Sequence, residues 1–333
     1  MAWRENLTAY FAARLPSADD VRIGRLTNMP AGASNDTVGL DLSVRCDGHE
    51  FEVPLVLRPQ RPDGILAPYD VGRQFRVMRA LADTAVPVPA VLWHETDDSV
   101  LGAPFFLMER VIGETLPLFW YGPSPRLMAA AGMLATVHAV DWRSAGFAFL
   151  LPRDPDSDDS LPAPIECELA AWRVRADGFR IGRAPLLVAL ADYLTHNEPA
   201  DARHALVHGD PNPGNYLFQG DRVAAVLDWE LASIGDPRSD LGFYAALLGV
   251  FGGIPGEGGK TLLSEAYAAV TGAPIGNLEY YEALGLYRMM IILTGWGGRI
   301  GGFSHYGMDT IARRLTVLLG PDWARGEEPD QAG

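Results

Sequence analysis

The stretch from Leu206 to Leu241 (LVHGDPNPGNYLFQGDRVAAVLDWELASIGDPRSDL) constrains the fold more than any other part of the 333-residue chain. Asn215–Phe218 and Arg222–Leu227 have strand character, and Gln219-Gly220-Asp221 between them has turn character. Residues equidistant from a hairpin turn face each other, so Asn215 and Asp228 are expected at one open end, roughly 5 Å apart at Cα if paired. Asp210 precedes Asn215 by five residues, in a loop made irregular by Pro211, Pro213 and Gly214. Two carboxylates and an amide thus converge at one mouth. A small, all-oxygen ligand set suits Mg²⁺, which keeps some waters and shares phosphate oxygens. Singly, each of the three is a common turn residue; their joint spacing is what points to chemistry.

The hydrophobic period of the rest divides the chain in two. Residues 1–20 carry Leu7, Tyr10, Phe11 and Leu15 at helical spacing. The period then becomes two. Residues 21–27, 37–45 and 50–58 read as strands, separated by the turn-rich segment 28–36 and by the hairpin signal Asp47-Gly48. Pro54 inside the third strand either weakens that strand or marks a sheet edge. A helix over 69–83, striped by Val71, Phe75, Met78 and Leu81, leads to strands at 90–94 and 105–110. Beyond Gly113 the pattern is helical at 127–139, 165–178, 185–196, 239–250, 261–271, 278–295 and 307–319, interrupted by the β segment 205–229. The expected architecture is α+β: a small antiparallel-sheet lobe over 1–110 and a larger, mainly helical lobe over 111–333.

Composition excludes several classes. A net charge of −15 argues against a nucleic-acid partner, because phosphate backbones demand basic patches. The two cysteines, Cys46 and Cys167, exclude a disulfide framework and fit a reducing cytoplasm. No apolar run reaches the ~20 residues of a membrane span, and Arg4, Glu5 and Arg14 interrupt any secretory signal. The expectation is a cytoplasmic protein with no membrane partner. Lys260 is the only lysine. It ends a glycine-rich run, Gly252–Lys260, that imitates a phosphate-binding loop, but position 254, where that loop needs glycine, is isoleucine. A metal hydrolase built on His204, His208 and Asp210 lacks further nitrogen or sulfur ligands nearby.

His208-Gly209-Asp210-x-x-x-x-Asn215, Val226-Leu227-Asp228-Trp229-Glu230 and Gly235-Asp236-Pro237-Arg238-Ser239-Asp240-Leu241 occur in that order. Together they resemble the aminoglycoside phosphotransferase and choline kinase-like family, which has a two-lobed protein-kinase-like fold. The resemblance runs from Gly32-Ala33-Ser34 to the helix around Arg288. It implies a phosphotransferase that uses ATP (GTP being the alternative) with Mg²⁺ and a small-molecule hydroxyl acceptor. Asp210 would orient the acceptor hydroxyl and accept its proton. Asn215 and Asp228 would hold Mg²⁺. Backbone N–H groups of Gly32, Ala33 and Ser34 would close over the phosphates, and the backbone of Met108–Val111, including Glu109 and Val111, would meet adenine. His208 is expected to pack the catalytic loop, and Asp236 and Asp240 to serve as turn and cap carboxylates.

Two positions depart from the family pattern. Its strand-three lysine corresponds to Arg58 and its helix glutamate to Gln74, with Asp70 as the other candidate one turn away. Alternation places Arg58 opposite Leu55 and Leu57, facing the cleft, where Gln74 can accept a hydrogen bond from it. Arginine grips phosphate with a fork but is bulkier than lysine. Such an arginine also occurs in the resembling kinase-like domain of certain acyl-CoA dehydrogenase fusion proteins, a branch associated with hydroxyacyl acceptors. Arg288, Arg299, Arg313 and Arg314, with Trp296, are the residues expected to meet an anionic acyl group. The alternatives are an aminoglycoside or amino alcohol acceptor, or a nucleotide-binding pseudokinase or regulatory module.

Overall fold

The computed structural model describes residues 2–29, 37–61, 69–117, 122–152, 161–182, 184–252, 259–297, 303–321 and 323. Helix α1 (Ala2–Arg14) precedes strands β1 (Asp20–Asn28), β2 (Val38–Cys46) and β3 (His49–Pro59). Helix α2 (Val71–Leu81) and strands β4 (Val91–Glu95) and β5 (Phe105–Glu109) follow. The five strands form one antiparallel sheet in the order β1-β2-β3-β5-β4.

Period-two alternation builds a separate layer on each face of the sheet. Leu55 and Leu57 pack with Leu40, Leu42 and Phe105 against Leu7 and Phe11 of α1. Val56, Phe106 and Met108 meet Val77, Met78 and Leu81 of α2 on the other face. That second layer continues into Leu206, Tyr216, Val226 and Trp229, so one core joins sheet, α2 and the C-terminal lobe. Pro54 does not mark an edge: β3 lies between β2 and β5. Its carbonyl accepts from Arg110 N at 3.1 Å, one residue past the end of β5, so its missing N–H falls where the ladder has already stopped.

The C-terminal lobe contains α3 (Pro125–His138), α4 (Pro164–Gly178) and α5 (Pro185–His196). Two short antiparallel pairs come next: β6 (Ala205–Val207) with β9 (Ser233–Gly235), enclosing the hairpin β7 (Tyr216–Gln219) with β8 (Arg222–Val226). Helices α6 (Arg238–Leu247), α7 (Leu262–Thr271), α8 (Leu278–Gly297) and α9 (Phe303–Leu319) complete it. Ser124 caps α3 by accepting from Leu127 N at 3.1 Å, with Pro125 in the first turn. The imitation phosphate loop leads into α7, which Thr261 caps; the described residues before it, 248–252, are helical, and 253–258 lie outside the described set. Among the described residues, no helix is long and apolar enough to cross a membrane.

The C-terminal core depends on a close crossing of α6 and α8. A Cβ on Gly242 would sit 2.1 Å from the Tyr281 carbonyl carbon and oxygen, and one on Gly285 would sit 2.7 Å from the Gly242 carbonyl oxygen. Backbone meets backbone there, and no flexible side chain can yield. Gly242→Ala should therefore force the helices apart and destabilise the protein by about 3 kcal/mol, the upper part of the usual overpacking range. A melting temperature equal to that of the parent chain would show that the crossing tolerates a methyl group.

Candidate active site

The catalytic-loop sequence begins where β6 ends. Gly209 has φ of +88°, and a Cβ there would lie 2.3 Å from the Leu231 carbonyl oxygen. Only glycine meets both the left-handed backbone and the close approach. His208 is fully buried, 4.6 Å from the Trp229 ring, and its Nε2 bonds to the Leu227 carbonyl at 2.8 Å. It packs the loop, as its sequence context suggests. His204 bonds instead to the Pro162 carbonyl at 2.7 Å, so the three-residue metal set of a hydrolase does not form.

Asp240 is not the cap expected from the sequence: it lies in the first turn of α6, whose N-cap residue has no side-chain cap bond, and its carboxylate turns to the preceding loop instead. Its carboxylate accepts from His208 N at 2.8 Å and from Gly209 N at 2.7 Å, and meets His138 Nε2 at 2.9 Å. His138 Nδ1 reaches the Tyr267 hydroxyl at 2.9 Å. Burial alone would push the Asp240 carboxyl up; the His138 hydrogen bond and charge, with His208, outweigh it and hold the group below the usual carboxylate range. Asp236 is the turn carboxylate, accepting from Arg238 N at 2.9 Å and Arg203 N at 2.9 Å.

Asp210 is held by two amides. Its Oδ1 accepts from Asn212 Nδ2 at 3.0 Å, and its Oδ2 from Asn215 Nδ2 at 3.1 Å. Asn215 also donates to the Asp210 carbonyl at 2.8 Å. Burial pushes the Asp210 carboxyl above its ordinary range against the hydrogen bond from Asn212, and the nearby Asp228 charge adds to the rise. Asn212 was not among the residues expected here. Its signal is local: an amide two residues after a carboxylate, whose own Oδ1 caps the turn by accepting from Gly214 N at 2.8 Å.

The hairpin mouth forms with its register displaced by one residue. Tyr216 pairs with Val226, and Asn215 O accepts from Leu227 N at 2.8 Å, so Leu227 and not Asp228 lies opposite Asn215. The displacement is set at the turn, where Gln219 pairs with Arg222 in a register that would bring Val226 opposite Asn215; the irregularity between Leu217 and Phe218 recovers one residue. Asp228 then leaves the strand at φ 62°, ψ 57°, a left-handed conformation uncommon outside glycine. Asn215 has turned its amide nitrogen toward Asp210, which turns its oxygen the other way. One amide oxygen and one carboxylate fit a hard cation that takes its remaining ligands from water and phosphate.

Arg58 reaches across the lobes. It is 7% exposed, and its Nη2 meets Asp228 Oδ1 at 3.3 Å while its Nη1 donates to Thr37 Oγ1 at 2.8 Å. The expected hydrogen bond to Gln74 does not form: Gln74 Oε1 and Arg58 Nε are both buried without a partner. The long guanidinium passes the amide and goes to the carboxylate, the stronger acceptor. Asp70 is the N-cap of α2, accepting from Arg73 N at 2.9 Å, and so is not a partner for Arg58. Met108–Val111 form the crossover between lobes. Glu109 N donates to Ala90 O at 2.9 Å, and beyond Val111 the chain is stitched to β7 by paired Glu114 and Phe218 backbone bonds of 2.9 and 2.8 Å. Gly32, Ala33, Ser34 and Arg299 lie outside the described residues.

A cavity of about 470 Å³ opens between α2 and α4. Cys167, Ala170, Ala171 and Val174 of α4 form an apolar wall opposite Phe149–Pro152, and Tyr69, Asp70, Val71, Arg73, Gln74, Arg175 and Glu230 line the remainder. Arg73 donates to the Glu230 carbonyl at 3.2 Å, and burial and then the Arg175 charge push its proton affinity down to about 10. These are not the arginines expected at the acceptor. Arg314 is spent on Glu282 (2.6 and 2.9 Å), Arg288 is 1% exposed, and Arg313 points to solvent.

Comparison with known proteins agrees with this arrangement. The sequence model of the phosphotransferase enzyme family matches residues 25–270. The chain is 31% identical over 288 residues to acyl-CoA dehydrogenase family member 10 of Mus musculus, covering 79% of this chain and 25% of that protein. It is 32% identical over 344 residues to acyl-CoA dehydrogenase family member 11 of Gallus gallus, covering 94% and 42%. The chain thus spans less than half the length of these curated relatives. A provisionally named aminoglycoside phosphotransferase from Ralstonia eutropha superposes with a TM-score of 0.61 at 25% identity, covering 96% of this chain and 97% of that one. A thermostable aminoglycoside phosphotransferase APH(4)-Ia variant, solved with ADP and hygromycin B, shares the fold at TM-score 0.57 and 17% identity, covering 95% and 99%.

Glu168, on the buried face of α4, supplies a pH test. Burial, against the Arg288 charge, pushes its carboxyl from 4.5 up to about 8. The folded protein then binds a proton that the unfolded chain has released between those values, so this group's contribution to stability falls as pH rises from about 4.5 to 8. Glu168→Gln should flatten the denaturation free energy across that interval; an unchanged slope in urea titrations at successive pH values would refute the assignment.

Proposed function

The chain belongs to the phosphotransferase enzyme family and is a small-molecule kinase; we propose that it transfers the γ-phosphoryl group of ATP, or of GTP, to the hydroxyl of a hydroxyacyl compound. The observation that carries this reading is the Asp210 carboxylate, half-buried, gripped by Asn212 and Asn215 and raised in proton affinity beside Asp228. A carboxylate so placed orients an incoming hydroxyl and takes its proton as the oxygen bonds to phosphorus, while ADP leaves with the bridging oxygen. Mg²⁺, held by the Asn215 amide oxygen and the Asp228 carboxylate, would supply neutralisation of the phosphate charge. Arg58 would exchange Asp228 for phosphate oxygens. The backbone of 32–34 would close over those phosphates, and that of Glu109 to Val111 would meet the base, with the lobe boundary near residue 110. Two cysteines without a disulfide fit a cytoplasmic setting.

The cavity between α2 and α4 is the acceptor site in this reading. Its apolar wall suits an aliphatic chain more than a polycationic sugar; the charges of Arg73 and Arg175 are matched in the lining by Asp70 and Glu230. Kanamycin-type aminoglycosides, hydroxyacyl-CoA thioesters and free hydroxy acids should be compared as acceptors by ADP release with Mg-ATP. The acyl compounds are expected to be used; efficient phosphorylation of the aminoglycosides alone would overturn the acceptor assignment.

The Arg58–Asp228 ion pair closes the metal carboxylate against a cation, which favours the rival reading of a nucleotide-binding regulatory module. Asp210→Asn decides between them. Loss of a positioned base costs about 10²–10⁴ in rate, and the side chain makes no contact with Arg58, so ADP production should collapse while Mg-ATP affinity persists. Turnover near that of the parent chain would remove Asp210 from the chemistry.

A further inference from the structure

We infer that Arg288 is a positioning residue for Asp210, and that α4 bears on the catalytic loop through it; the inference rests on the reading of Asp210 given above. Arg288 lies one turn after Gly285, on the stretch of α8 that the glycine crossing brings against α6. It is 1% exposed. Its Nη2 donates to the Gly209 carbonyl oxygen, and its Nε and Nη1 have no hydrogen-bond partner.

That carbonyl belongs to the peptide unit joining Gly209 to Asp210. The N–H of the same unit, on Asp210, donates to His208 Nδ1 at 3.2 Å. Peptide units are planar, so holding both polar ends sets the orientation of the whole plane. The preceding unit is held too, since Gly209 N donates to Asp240 at 2.7 Å. With both planes fixed, Gly209 loses the freedom that its missing side chain would otherwise allow, and the Asp210 N–Cα bond, the axis about which that residue turns, is set in place.

A buried guanidinium is costly to desolvate, and a well-packed apolar residue is often the more stable choice at such a position. Arg288 gains little in return from ion pairing: Glu168 Oε2 is 3.9 Å from Nη1, beyond hydrogen-bond reach. Phe243 and Trp172 pack against it, 4.2 and 5.1 Å from the guanidinium carbon, and the Asp240 and Asp210 carboxylates act on its charge without a hydrogen bond to it. The charged donor is therefore directed at one acceptor, the carbonyl beside Asp210. Trp172 and Glu168 belong to α4, whose other stripe, Cys167, Ala170, Ala171 and Val174, walls the cavity. Displacement of α4 by an occupant of that cavity would be felt at Arg288 and passed to the peptide preceding Asp210.

The test uses Arg288→Met and Arg288→Lys in the full chain, with three readouts: ADP release from Mg-ATP to water, Mg-ATP affinity, and amide hydrogen exchange. Arg288→Met should slow ADP release by about 10²-fold, the scale of a misplaced reacting group, leave nucleotide affinity unchanged, and raise exchange selectively over 206–215. Arg288→Lys, which keeps one cationic donor, should recover part of the rate and of the local protection. Exchange rising uniformly through the chain, or a full rate in either variant, would overturn the inference. If the parent chain releases no ADP to water or to any of the hydroxyl acceptors named above, the kinase reading itself fails, and the exchange data alone decide whether Arg288 fixes the loop.

Discussion

Both polar groups of Gly209 are held from the same helix pair, and the active-site geometry follows from that. Asp240 on α6 takes the N–H, and Arg288 on α8 takes the carbonyl. Neither side chain could arrive unless the two helices crossed almost backbone to backbone, which Gly242 and Gly285 permit. The His138–Tyr267 link ties Asp240 to α3 and α7 as well. Four helices thus fix a loop whose own regular structure amounts to one 3₁₀ turn, Pro213–Asn215. Such a loop is anchored chiefly by backbone hydrogen bonds, because it has too little apolar surface to be held by packing alone.

The opposing lobe meets this loop through one charge. Arg58 extends from β3 to Asp228, and the core beneath α2 runs unbroken from Val56 to Trp229. Lysine would present a compact charge on a flexible stem; the arginine fork instead spans to Asp228 and Thr37 together. Gln74, left with an unpartnered buried oxygen, sits in the wall of the cavity between α2 and α4. Asp228, proposed to hold the metal, and the cavity proposed for the acceptor are thus neighbours, since the cavity is lined by the first turn of α2 and by Glu230 in the segment after β8.

Much of this was legible in advance. The strands, the helices of the C-terminal lobe and the convergence of Asp210, Asn215 and Asp228 follow from hydrophobic period and turn chemistry, which act over a few residues. Pro54 misled because a missing N–H can be accommodated by a strand end as well as by a sheet edge. The hairpin register moved by one residue because Gln219, read as part of the turn, pairs with Arg222, so the turn closes over Gly220 and Asp221 alone. Arg288 and Arg314 looked available for an acceptor because helical spacing does not show what lies against a face; both point inward, to Gly209 and Glu282.

The sequence by itself determined the order of elements, the β-then-α division and the oxygen-rich mouth, since each depends on near neighbours in the chain. Tertiary structure decided which arginines face the cavity, which helix residues grip the loop, and that Arg58 pairs with Asp228 in place of Gln74. Those contacts join residues separated by 79 positions for Arg288 and Gly209 and by 170 for Arg58 and Asp228. At such distances no local propensity acts, and partners are set by which helices can approach closely enough to bury a charge against an acceptor.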